Sequence, residues 1–64
     1  MRIILPDQEI WVIDQGPASI ETILSGLGIN TLEVIVVRNG TLIPEDTVVF
    51  ANDEIRVIRI SHGG

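Results

Sequence analysis

Residues 15–29 read QGPASIETILSGLGI, and the fold turns on how this stretch is taken. Ile20, Ile23, Leu24 and Leu27 stand at i, i+3, i+4 and i+7, one stripe of an amphipathic helix rather than the alternation of a strand. Ser19 sits where an N-cap is needed, its hydroxyl able to accept from the free backbone N–H groups of the first turn. Glu21 adds a negative charge there, favourable at the positive end of the helix dipole. Gly28 occupies the left-handed position just past a helix end, with Ile29 placed to touch Leu24 in a Schellman ending. A helix of about two turns is unstable alone in water, so its apolar stripe must lie on a sheet.

Outward from the helix the period changes to two. Residues 1–5, MRIIL, form a β-branched run closed by Pro6-Asp7, and residues 10–13, IWVI, come after a turn-length gap, so a β-hairpin is expected. On the other side residues 32–38, LEVIVVR, predict a strand, and Asn39-Gly40 a hairpin turn into the short TLI of residues 41–43 before Pro44. Residues 44–53, PEDTVVFAND, read as a loop with a brief extended piece at 48–50; Asn52-Asp53 then turns the chain into a last strand, EIRVIRI, at 54–60. One helix can cover one face of one mixed sheet, and the simplest arrangement of this order is an α+β domain of the β-grasp type with four or five strands. Its first and last strands lie side by side, parallel, at the centre. Residues 1–60 are expected to form the domain and 61–64 a flexible Gly-Gly tail.

The chain has 64 residues, room for one domain near the lower limit at which a single core offsets conformational entropy. With no cysteine and one histidine, neither disulfides nor a metal site is expected, and stability must come from packing. The hydrophobic fraction of 45% and mean hydropathy of +0.42 argue for a packed core over disorder. A net charge of -5 opposes the field of nucleic-acid phosphates, so no nucleic acid is expected as partner; an acidic surface suits a protein with a basic groove. No apolar run approaches the roughly 18 residues that span a bilayer, and no basic segment precedes an apolar one at the start, so no membrane partner and a cytoplasmic location are expected.

Strand alternation divides the sheet residues between two faces. Met1, Ile3, Leu5, Val34, Val36, Ile55 and Val57 are assigned to the helix side, against Ile20, Ile23, Leu24 and Leu27. That leaves Ile35, Val37, Ile58 and Ile60 on the open side, ringed by Arg56 and Glu33, as a candidate docking patch or homodimer face. The competing account is that such residues simply fit a pleated surface. Trp11 is expected half-buried on a strand. The carboxylates Asp7, Glu9, Asp14, Glu45, Asp46, Asp53 and Glu54 are scattered and suggest turns and solvated faces, not acid–base pairs.

The sequence closes with Ser61-His62-Gly63-Gly64, two glycines directly beyond the last predicted strand. Gly-Gly alone is a weak motif; after this order of elements in so short a chain, it is a strong one. Here the whole sequence resembles the ubiquitin-like sulfur carriers of the ThiS/MoaD family. MRIILPDQEI is similar to the family's first hairpin, SIETILSGLG to its T-V-x-x-L-L-x-x-L helix, VVRNGTLIP to its V-N-G-x-x-V-P turn, and NDEIRVIRISHGG to its G-D-x-V-x-I-x-x-x-x-G-G ending. Asn52 stands where the family usually has glycine, a swap expected to be tolerated because Asn also enters left-handed turns. Length and the segment from Asn39-Gly40 to Pro44 favour the shorter, ThiS-like branch over the longer molybdopterin-synthase subunit.

The resemblance implies a protein that is not itself an enzyme. An E1-like adenylating enzyme uses ATP to adenylate the Gly64 carboxylate, and sulfur from a persulfide displaces AMP to leave a covalent C-terminal thiocarboxylate. The sulfur then passes to a sulfur-accepting synthase or sulfurtransferase, in thiamine thiazole, molybdopterin or transfer-RNA thiolation chemistry. No tightly bound cofactor is implied. Ser61, His62 and Gly63 would enter the partner's active site, Gly63-Gly64 being slender enough to thread a narrow channel. His62 can orient a phosphate or carry a proton, or serve only as a solvated spacer. A second reading is a modifier joined through Gly64 to lysines of other proteins, since some relatives do both. A third is a β-grasp interaction domain with an inert tail. The four basic residues, Arg2, Arg38, Arg56 and Arg59, are all arginine, so polymers through internal lysines cannot form.

Overall fold

The computed structural model describes residues 1–60. β1 (Arg2–Ile4) and β2 (Ile10–Val12) form the expected hairpin, and β3 (Ala18–Ser19) runs directly into α1 (Ile20–Gly26). β4 (Val34–Arg38), β5 (Thr41–Ile43), β6 (Val48–Val49) and β7 (Glu54–Arg59) come next along the chain. Five strands make a mixed sheet in the order β2-β1-β7-β4-β5, with β1 and β7 parallel neighbours and the other pairs antiparallel. This is the β-grasp arrangement expected from the order of elements.

The helix starts and stops where its local chemistry dictates. Ser19 Oγ accepts from the Thr22 N–H at 3.2 Å and so satisfies one orphan donor of the first turn. At the other end Ile29 N–H donates to the Leu24 carbonyl and Gly28 N–H to that of Ser25, with Gly28 at φ +81°, a complete Schellman closure. Asn39 and Gly40, both at positive φ, turn β4 into β5. Asn52 is not among the residues at positive φ, so the family's usual glycine is dispensable here because the turn asks for no left-handed residue.

All seven sheet residues assigned to the helix side are buried in one cluster with Ile20, Ile23 and Leu24. Leu27, at the C-cap, packs on that cluster while staying half-exposed. Two corrections concern the connections. Leu32 and Glu33 belong to a 3-10 turn (Thr31–Glu33), not to the strand, because Asn30 Oδ1 accepts from Leu32 N–H and caps a helical turn first. Ala18–Ser19 pairs antiparallel with Val48–Val49 in a separate two-stranded ladder, which brings fully buried Val49 under the helix side of the sheet.

Candidate functional site

One helix leaves the opposite face of the sheet uncovered. Register places Ile10, Ile4, Arg56, Val37 and Leu42 in a single row across all five strands on that face. Ile35 and Ile58 oppose each other in the next row, and Val12, Arg2 and Glu54 lie in the row on the other side. Leu42 is 64% exposed, Ile58 40% and Ile35 39%, whereas Ile4 is buried between its neighbours and Val37 is half-buried. The result is a continuous apolar surface with a cation in it.

Four of the five residues expected in the docking patch, Ile35, Val37, Arg56 and Ile58, are therefore brought together. The fifth, 39% exposed Ile60, succeeds Ile58 by strand alternation, and its backbone N–H donates to the Glu33 carbonyl at 2.9 Å. Arg56 does not ring the patch; it stands in the middle row, between Ile4 and Val37. Sequence reasoning missed Ile4, Ile10, Val12 and Leu42. The alternation in IWVI and TLI carried the signal for three of them, but assigning them to this face needs the register with β1 and β4.

The electrostatics of the face differ from those of the whole chain. Arg2 Nη1 donates to Glu54 Oε2 at 3.3 Å in an exposed pair, which leaves the charge of Arg56 uncompensated in the middle of the apolar row. Arg56 meets no carboxylate within salt-bridge distance among the described residues. Of the nine acidic residues, Asp7, Glu9, Asp14, Glu45, Asp46 and Asp53 lie in loops, Glu21 on the helix and Glu33 in the 3-10 turn, which leaves Glu54 on a sheet strand. Negative charge is thus concentrated in the loops and on the helix, away from the exposed apolar side chains Ile35, Leu42 and Ile58.

Trp11 is half-buried, as expected, with Nε1 donating to Glu9 Oε1 at 2.9 Å. Among the described residues no three His, Cys, Asp or Glu side chains come close enough to hold a metal ion, and no helix is long and apolar enough to cross a membrane. Ser61, His62, Gly63 and Gly64, the expected activated end and its approach, lie outside the described residues. What the described part offers is an open apolar face that carries Arg56 without a carboxylate partner among the described residues.

Against known families, residues 7–61 match the model of small archaeal modifier protein 2. Comparison with curated proteins gives no significant match.

Proposed function

The chain belongs to the small archaeal modifier protein 2 family, a ubiquitin-like β-grasp group related to the ThiS/MoaD sulfur carriers, and on that premise we propose that it is a donor protein activated at the carboxylate of Gly64. The observation that carries this reading is the family match over residues 7–61, which covers the scaffold from β2 onward and runs to the edge of His62-Gly63-Gly64. An E1-like enzyme supplies ATP; a Gly64 carboxylate oxygen attacks the α-phosphorus, pyrophosphate leaves, and an acyl adenylate results. The open face docks that enzyme through Ile35, Val37, Arg56, Ile58 and Ile60, extended by Ile10 and Leu42. Docking holds the scaffold while the slender Ser61-His62-Gly63-Gly64 segment reaches the nucleotide.

Two fates of the adenylate are open. Attack by a persulfide sulfur releases AMP, and thiol cleavage of the resulting disulfide leaves a thiocarboxylate for a sulfurtransferase or synthase. Attack by a lysine amine of a target, directly or through a thioester, ends in an isopeptide bond. The family's description as a modifier favours the second fate, and its kinship with sulfur carriers keeps the first. Intact mass of the native protein separates them: one terminal oxygen replaced by sulfur marks the carrier, while larger species leaving Gly-Gly remnants on target lysines after digestion mark the modifier. Deleting Gly64, or appending a residue after it, is expected to abolish ATP–pyrophosphate exchange with the E1-like enzyme and leave the fold intact. Undiminished exchange by an extended form would overturn the proposal, and no exchange by the native chain would favour an inert tail.

A further inference from the structure

β1 stops short of its neighbour. It pairs with β7 from Arg2 opposite Glu54 to Ile4 opposite Arg56, while β7 runs on to Arg59 beside β4. Continued in the same register, the next ladder bond would require residue 6 to donate its N–H to the Val57 carbonyl, and residue 6 is Pro6, which has none. The chain instead turns away, Leu5 N–H donating to the Glu9 carbonyl.

The phase of the other ladder shows which groups are stranded. Ile60 N–H donates to the Glu33 carbonyl, so Glu33 and Ile60 are a hydrogen-bonded pair and the next pair, Val34 opposite Arg59, is not. Arg59 N–H and the Val57 carbonyl therefore point towards the side that β1 has vacated. Val57 is 1% exposed, so its carbonyl is withheld from bulk water as well as from the ladder. Among the described residues no backbone group donates to this carbonyl outside the ladders, and a buried main-chain acceptor without a donor is costly.

A hollow lies on each side of this gap. On the helix side Leu5, Trp11, Ile29 and Val34 line about 440 Å³, together with the charged Asp7 and Arg59. On the open side Leu5, Pro6, Arg56 and Ile58 line about 260 Å³. Arg56 and Arg59 both lack a carboxylate within salt-bridge distance among the described residues.

We propose that this gap is a strand-addition site, taking an extended segment of a partner protein in which apolar and acidic residues alternate. Successive side chains of an extended segment point to opposite faces, so its apolar residue fills the hollow at Trp11 and its acidic neighbour meets Arg56. Its backbone donates to the Val57 carbonyl and accepts from Arg59 N–H, completing the ladder that Pro6 interrupts. The site lies on the β1 side of β7 and shares Arg56 and Ile58 with the open face, and it does not depend on activation at Gly64.

The probe is the capped peptide acetyl-Val-Glu-Val-Glu-Val-amide, titrated into the full chain. Trp11 is the single tryptophan, so its fluorescence reports the helix-side hollow directly. The expected result is a saturable change, with the Arg59 amide resonance moving downfield and gaining protection from hydrogen exchange. Arg56→Glu should weaken binding at least about tenfold, as should lysines in place of the peptide's glutamates. Backbone N-methylation of the peptide, which leaves the protein untouched, should abolish binding. Failure to saturate at a few millimolar, on the order of the weakest specific affinities, would overturn the proposal. So would equal binding of the N-methylated or lysine peptides, resonance changes confined to Ile35 and Leu42, or sedimentation showing that a second copy of the chain occupies the gap.

Discussion

Ser19, Gly28 and the pair Asn39-Gly40 show how much a single residue decides when its role is local. Each acts on main-chain groups within a few positions of itself: a hydroxyl on the Thr22 N–H, a left-handed glycine ending the helix, two positive φ angles turning a hairpin. Ser19→Ala should lower stability by about 1 kcal/mol, read as a shift of the denaturation midpoint at unchanged slope. These roles were legible because the chemistry that fixes them lies inside the motif. Asp53 was read only as part of a turn, yet its Oδ2 accepts from Phe50 N–H at 2.9 Å and meets Arg38 Nη1 at 3.4 Å. The first of these contacts belongs to the turn; the second joins residues 15 positions apart and has no sequence signature. Asp53→Ala should therefore cost about 1–2 kcal/mol, and a double-mutant cycle with Arg38→Ala should show coupling of a few tenths of a kcal/mol, as for a partly exposed pair.

At the scale of elements, period was a reliable guide where runs were long and misleading where they were short. The helix stripe and the alternation of the first strand, β4 and β7 placed all seven sheet residues assigned to the helix side correctly, because a slip of one position would turn an entire strand inside out, while Val49 escaped assignment. The two-residue β3 and β6 have no period to read, and their pairing appears only once the helix is docked. At the start of β4, Leu32 and Glu33 continue the alternation of Val34 and Ile35 in the sequence, yet the Asn30 cap draws them into the 3-10 turn. The seven-residue helix owes its existence to its contacts with the sheet rather than to propensity. Fully buried Leu24 makes the test: Leu24→Ala should cost about 2–5 kcal/mol and, in a domain this small, leave the chain largely unfolded at moderate temperature, as circular dichroism would show.

For the molecule as a whole, the main division is between a packed face of the sheet and an open one. Its parity was visible in the sequence; its extent was not, since Ile10, Ile4, Arg56, Val37 and Leu42 each come from a different strand and are joined only by register. Ile35→Glu or Ile58→Glu should reduce binding to the E1-like enzyme at least about tenfold while Tm moves by less than about 4–8 °C, the equivalent of 1 kcal/mol in a domain of this size. Comparable losses of both would return these residues to a structural role. The parallel pairing of β1 with β7 has a further meaning for how the protein is made. Arg2 meets its partner Glu54 only across a separation of 52 positions, so a nascent chain on the ribosome cannot close its sheet while β7 is still inside the exit tunnel. Chains arrested before residue 54 should remain protease-sensitive, because the sheet then lacks the strand with which both β1 and β4 pair.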